Sequence, residues 1–278
     1  MADRRLPWFV RVALTWVVLI LLVALGADLI SPYPFKALDL HHRLAPPLGF
    51  GGSWRHALGT DELGRDVLSR LIASIRMSLL IAFGATMIGA AVGTTMGFLA
   101  AHFRGFVEQV VLTLVDFSAS LPFLILALSV LAFFGNSLPL FIVLLGFHAW
   151  ERYARIARGL AIAAGVQGYA AAVRQLGATS LRVYTRHILP NIASTLIVSM
   201  TLAFPEIILL ESGLSFLGLG VQPPATSLGN MVGYGREYLT RAPWILLAPA
   251  MTIILTTLAV SLLGDWLRDR LDPTLDRR

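Results

Sequence analysis

The chain of 278 residues has no cysteine and a single lysine, Lys36. Without cysteine there is no disulfide, no thiolate metal site and no cysteine nucleophile, and redox chemistry says nothing of the compartment. Charge is scarce as well. Only 14% of residues are charged, against about 25% in a soluble domain. A phosphate-cradling G-x-x-x-x-G-K-[ST] loop needs a lysine after glycines, and Lys36 follows Pro34 and Phe35. ATP hydrolysis by that route is excluded. No H-E-x-x-H or G-x-S-x-G pattern occurs, which removes the common zinc-protease and serine-hydrolase signatures.

What the chain does have is apolar surface. Hydrophobic residues make up 56%, too much to hide inside a soluble globule of this size. Six apolar runs stand out: about Trp8–Ile30, Leu79–Ala101, Val107–Phe134, Leu138–Tyr153, Asn191–Leu210 and Pro243–Gly264. Each approaches the roughly 20 residues that a spanning helix needs. The expected fold is an all-α membrane protein with about six transmembrane helices. The fourth run is the shortest and continues as a helix past Glu151. The apolar stretch Val12–Ala27 is longer than a signal-peptide core, so the first run reads as a retained span. Pro122, Pro205 and Pro249 predict kinks in later spans.

The net charge of +6 comes from 21 arginines and the one lysine. They lie between apolar runs rather than in a basic domain, which argues against nucleic acid. With the N-terminus inside, 14 of these cations fall on inner segments and 8 on outer ones. Both ends are therefore expected in the cytoplasm.

Ser31–Thr60 is rich in proline and glycine and reads as an external loop. A helix start is expected at Thr60, with Asp61 and Glu62 at its positive end. Leu63, Val67, Leu68, Leu71, Ile72, Ile75 and Leu79 then recur at helical spacing, with Arg65, Asp66, Ser69, Arg70 and Arg76 opposite. That pattern predicts an amphipathic helix at the membrane surface, its arginines among headgroups. His41, His42 and His56 have no fixed ligand spacing and are read as solvated or capping groups, so no metal site is expected. In the second run Ala85, Gly89, Gly93, Gly97 and Ala101 recur every four residues. Such a face serves close helix packing or a sliding contact with a partner subunit.

Acids within the runs are few: Asp116, Glu206 and, at the end of the fifth run, Glu211. Asp116 and His148, counted from opposite ends of their runs, both fall near mid-depth, and a hydrogen bond between them is expected. The rival is that Asp116 faces a path or bonds Ser118 or Ser120.

Between the fourth and fifth runs the chain reads Tyr169-Ala170-Ala171-Ala172-Val173-Arg174-Gln175-Leu176-Gly177, then Arg186-His187-Ile188-Leu189-Pro190-Asn191. A short alanine-rich helix ended by Gly177 is followed by a second piece leading to Leu189-Pro190. It has too few large apolar residues for a domain of its own and suits docking of a soluble partner.

This loop resembles the signature of bacterial ABC importer membrane subunits. Aligned on Gly177, Ala171 stands at the family's glutamate, and Leu189 and Pro190 match its Leu-Pro. Three further segments are similar to the dipeptide/oligopeptide/nickel permeases, most of all the second permease of the pair. They are Leu58–Leu71, with Gly59, Asp61, Gly64, Arg65 and Asp66; Glu211–Pro224, with Gly218, Pro223 and Pro224; and Leu263–Pro273, with Asp265. Asp116 and Pro122 also occupy family positions.

The resemblance implies a type I ABC importer permease fold in a bacterial inner membrane. Its expected divisions are a tail and first helix (1–30), an external segment (31–73), a transmembrane core (74–265) with a coupling loop at about 165–181, and a cytoplasmic tail (266–278). It implies partners: a second permease, one or two ATPase subunits that bind ATP and Mg, and an external binding protein. Ala171, Ala172, Arg174, Gly177, Leu189 and Pro190 would face the ATPase. No cofactor is expected in this chain. The implied cargo is a peptide or a related small solute such as a nickel complex or a modified amino acid. Two other readings come from the residues. A self-contained secondary transporter would have to couple ions through Asp116 or Glu206. A membrane enzyme lacks a nucleophile–base or metal constellation.

Overall fold

A computed structural model of the chain describes residues 6–165, 172, 173 and 175–271. The principal helices are α1 (Trp8–Leu25), α2 (Val67–Phe103), α3 (Gly105–Ser120), α4 (Phe123–Phe134), α5 (Leu138–Gly165), α6 (Ser180–Phe216), α7 (Leu228–Gly235) and α8 (Trp244–Leu271). Four of them, α1, α2, α6 and α8, are long and apolar enough to cross a membrane, and α3 with α4 makes a fifth if the bent pair counts as one span. The remaining apolar run lies in α5. Its helix continues beyond Trp150 through Glu151, Arg152, Arg155 and Arg158, as the sequence leads one to expect.

The third run bends sharply at Pro122, where a kink is expected. It breaks between Ser120 and Phe123, and α3 and α4 meet at 90°. Leu121, the residue before Pro122, is forced out of the helical region to φ −84, ψ 130. Pro205 and Pro249, by contrast, lie inside α6 and α8. Pro190 is accommodated in a different way. A π-helical turn, Tyr184–Ile188, precedes it, and the Leu189 amide bonds back to the Tyr184 carbonyl. The wider turn takes up the mismatch that a proline near the start of a span introduces.

The chain divides into two compact units. The first comprises Met1–Phe83, Val130–Ile142 and Phe204–Leu263. Here the expectation for Thr60 is corrected. No helix starts there; α2 begins at Val67 and runs on for 37 residues without a separate surface helix. Thr60 instead forms a bridge with Asp66. The helix cap is Asp66, whose Oδ2 accepts from the Ser69 amide at 2.8 Å and the Ser69 hydroxyl at 2.7 Å. The polar face of this segment is also not in headgroups: Asp66, Ser69, Arg70, Ser74 and Ser78 are all buried. Arg65 is half-buried, and Arg76 is exposed and paired with Asp28 at 2.7 Å. Val67, Met231, Ala242 and Ile245 form the apolar cluster beside this polar face.

The second unit comprises Gly84–Ser129, Val143–Ala203 and Gly264–Arg278. The small-residue stripe of α2 lies against the backbone of α5. A Cβ on Gly89 would stand 2.8 Å from the Gly146 carbonyl oxygen, and one on Gly97 would stand 2.5 Å from that of Ala154. On Gly93 it would overlap the carbonyl of Trp150. Contacts at 89, 93 and 97 against 146, 150 and 154 advance together, so the two helices run parallel. The stripe therefore serves packing within the chain. Ala100, Val111, Val115, Trp150 and Ala154 fill the space between α2, α3 and α5.

Candidate functional site

In the first unit the segment Gly59–Asp66 folds around a buried carboxylate. Asp61 Oδ1 accepts from the amides of Leu63 and Arg65, each at 2.9 Å. Its Oδ2 accepts from Arg65 Nε at 2.6 Å and from Arg70 Nη1. Arg65 also reaches Glu62 at 2.9 Å. Gly59 and Gly64 supply the left-handed turns, with φ +77 and +72. Trp244 Nε1 at the start of α8 donates to the Thr60 carbonyl at 3.1 Å. These residues lock the segment onto α2 and α8. The rings of His42 and His56 are neighbours, centroids 6.1 Å apart, and each faces a carboxylate: His56 Nδ1 lies 3.0 Å from Asp66 Oδ1, and His42 Nδ1 lies 2.9 Å from Asp39 Oδ2. That bond from His42 holds the Asp39 carboxyl below its ordinary value.

The same unit holds Glu211, fully buried near the end of α6. Ser78 Oγ of α2 donates to Oε2 at 3.0 Å, and Ser215 Oγ donates to Oε1 at 2.8 Å. Ser212 and Ser227 add further hydroxyls. Ser78 Oγ accepts in turn from the Leu228 amide at 3.1 Å, and Ser227 Oγ accepts from the Asn230 amide at 3.3 Å. One carboxylate thus ties α2, α6 and the first turn of α7. The connecting loop contains Gly218 (φ +82), Pro223 and Pro224. It is held by Asn136 Nδ2, which donates to the Leu219 and Gly220 carbonyls at 2.7 and 2.8 Å. The serines were missed in the sequence, although Asp66, Arg70, Ser74 and Ser78 recur every four residues along one face.

The second unit carries the loop singled out for docking. Ala171 and Arg174 lie outside the described residues. Ala172 is exposed. Gly177 has φ +81 and ends the short helix, with the Ala178 amide bonded to the Val173 carbonyl at 3.3 Å. This is the six-residue closure that a left-handed C-terminal glycine permits. A Cβ on Gly177 would meet nothing within 4 Å. The loop's return is firmly seated. Val183, Tyr184 and Ile188 pack with Ala157, Ala161 and Ala164 of α5 and Ala101 of α2. Phe98 lies 5.1 Å from the Tyr184 ring and His102 lies 5.6 Å from it. Leu189 packs on this cluster, and Pro190 follows it in α6 just after the π-helical turn. A force on the exposed turn at Gly177 would therefore reach α2, α5 and α6 through close-packed side chains.

The expected pairing of Asp116 is corrected. Its Oδ1 accepts from Arg155 Nη2 at 2.9 Å, not from His148. The His148 ring stacks on Phe123, centroids 4.4 Å apart. Depth arithmetic missed Arg155 because an arginine stem reaches back along its helix. A second pair, Glu108 with Arg158, joins the same two helices at 2.7 Å. Asp265 is exposed on α8, just past Gly264, which packs near Leu202 of α6.

Residues 93–277 match the model of the family "Binding-protein-dependent transport system inner membrane component". The di/tripeptide transport system permease protein DppC of Pseudomonas aeruginosa is 39% identical over 263 residues, covering 94% of this chain and 87% of that one. The glutathione transport system permease protein GsiD of Escherichia coli is 35% identical over 263 residues, covering 95% and 86%. Among solved structures, the MetNI methionine ABC transporter aligns with a TM-score of 0.58 at 19% identity, covering 73% of this chain and 96% of that chain. An amino acid ABC transporter aligns with a TM-score of 0.56 at 20% identity, covering 73% and 95%. The two structures share the fold.

Proposed function

The chain belongs to the family of inner membrane components of binding-protein-dependent transport systems, and from that membership we propose that it is the permease subunit of an ATP-driven importer of small peptides. It is a multi-pass inner-membrane protein. The observation that carries the cargo is the 39% identity to a di/tripeptide permease over 94% of the chain. The proposal assigns ATP and Mg to separate ATPase subunits, since this chain has no P-loop. It adds a second permease and an external binding protein as partners. Ala172 and Gly177 sit at the contact with an ATPase, and Ala171 and Arg174 belong to the same docking loop. Closure of the ATPases moves that loop, and the Tyr184–Ile188 cluster passes the motion to the spans.

Co-purification tests the assembly. The tagged chain, expressed with its genomic neighbours and extracted in mild detergent, should bring a second permease and one or two ATPases. Deleting residues 165–181 should release the ATPases and leave the permease pair. A stable chain that purifies alone from intact membranes would refute the proposal. The secondary-transporter reading would have to couple ions through Asp116 or Glu206, and uptake by this chain alone in liposomes would support it.

A further inference from the structure

Helix α3 presents three different faces. Val111 and Val115 are buried against α2 and α5. Phe106, Val110, Leu114 and Phe117 form an exposed apolar stripe, suited to lipid. Thr113, Asp116 and Ser120 form a third stripe, exposed and entirely polar. On α5, His148, Glu151 and Arg155 recur at the same helical spacing. The Asp116–Arg155 pair joins the two stripes at 2.9 Å. Beside them the bend at Pro122 opens a cleft of about 150 Å³, with apolar walls that include Leu121, Phe123 and Phe147, and with Ser118, His148 and Glu151 as its polar lining.

This pair is not a packing element. The side chains of Asp116 and Arg155 are 73% and 48% exposed. The neighbouring Glu108–Arg158 pair, at 20% and 31%, is the structural clamp between the helices. Charged groups exposed on an apolar helix are costly against lipid and face water-filled cavities instead. The lipid-suited face of α3 is already supplied by Phe106, Val110, Leu114 and Phe117.

We propose that the stripe formed by Thr113, Asp116, Ser120, His148, Glu151 and Arg155 lines the water-filled translocation path, and that the Asp116–Arg155 pair opens to meet the charged termini of zwitterionic cargo. This rests on the importer reading. A solvent-exposed ion pair is weak, so it exchanges partners readily. The carboxylate receives an ammonium terminus and the guanidinium receives a carboxylate terminus, and the pair re-forms when the solute has passed. Both signs on one surface suit a solute that carries both.

The absence of cysteine makes the test direct. Single substitutions Thr113→Cys, Ser120→Cys, Leu114→Cys and Phe117→Cys are placed in the full complex with cysteine-free partner subunits. Thr113→Cys and Ser120→Cys should react with a charged, membrane-impermeant methanethiosulfonate, at rates that change when ATP and vanadate trap the ATPases. Leu114→Cys and Phe117→Cys should react only with a lipid-soluble maleimide. Reaction of Thr113→Cys and Ser120→Cys with the maleimide alone means lipid, and with neither reagent means a covering subunit. Either result overturns the proposal.

Function is read separately. Asp116→Arg and Arg155→Asp should each abolish dipeptide uptake while binding-protein-stimulated ATP hydrolysis persists, and the double swap should restore uptake. Single swaps with full uptake would overturn the role of the pair. If the unsubstituted complex carries no dipeptide yet the labelling pattern holds, the path assignment stands and the peptide reading falls.

Discussion

Ser78 of α2 donates a hydrogen bond to the carboxylate of Glu211, 133 positions further along the chain, at 3.0 Å. Glu211 is fully buried and its partners among the described residues are hydroxyls. Removing the acceptor leaves several buried donors unsatisfied, at about 1–3 kcal/mol each. Glu211→Ala should therefore shorten the lifetime of the protein in detergent sharply. Ser78→Ala should cost only about 1 kcal/mol, and Glu211→Gln should fall between the two. Thermal unfolding followed by size-exclusion chromatography would rank them. Equal midpoints for Glu211→Ala and the unsubstituted chain would show that the carboxylate does not hold the three helices together.

Gly93 is expected to tolerate no side chain. Its added Cβ would overlap the Trp150 carbonyl and lie 2.7 Å from the Tyr153 Cβ. Backbone on a neighbouring helix cannot step aside without moving the helix, and overpacking of this kind costs about 1–3 kcal/mol. Gly93→Val should reduce the yield of folded protein. Gly159→Ala, on the face of α5 where nothing lies within 4 Å, should leave it unchanged. Membrane expression of the two variants compared by fluorescence-detected chromatography gives the answer.

Arg70 and Asp61 form a buried pair, with side chains 7% and 1% exposed. Breaking such a pair from one side strands the other charge and costs about 3–5 kcal/mol. Arg70→Ala should be more damaging than Arg76→Ala, whose exposed partner Asp28 is readily solvated. Limited proteolysis within residues 31–66 should accelerate in Arg70→Ala and not in Arg76→Ala.

At Gly177 the backbone, not the space, sets the tolerance. With φ +81 and open surroundings, a β-carbon costs about 1 kcal/mol of local strain, and asparagine is the substitute best suited to a left-handed cap. Gly177→Asn should retain ATPase binding. Gly177→Asp, which adds a negative side chain at the proposed docking surface, should weaken it. Pull-down of the ATPases at graded salt would separate the two effects, and identical retention for both variants would place the docking contact elsewhere.

The sequence showed long helices because apolar runs of spanning length have few alternatives. It showed the Gly177 cap because a glycine after an alanine-rich turn has one dominant use. It also showed the small-residue face of α2, with the partner left open; only the backbone contacts with Gly146, Trp150 and Ala154 identify α5. Three features were hidden. Thr60 and Asp66 both have cap chemistry, and the choice between them depended on a bridge formed by the two residues together. The polar face of α2 looked like a headgroup face because arginines usually seek water. Its burial depended on Asp61 and Glu211, which come from other segments. The pairing of Asp116 with Arg155 was obscured because depth along two helices fixes backbone height and not the reach of an arginine.

Reconstituted uptake tests the central claim most directly. Proteoliposomes containing this chain, the second permease and the ATPases, with ATP inside and binding protein outside, should accumulate a labelled dipeptide. Omission of ATP, of the binding protein or of residues 165–181 should abolish accumulation. Vesicles holding this chain alone that accumulate the dipeptide down an ion gradient, without ATP, would contradict the account.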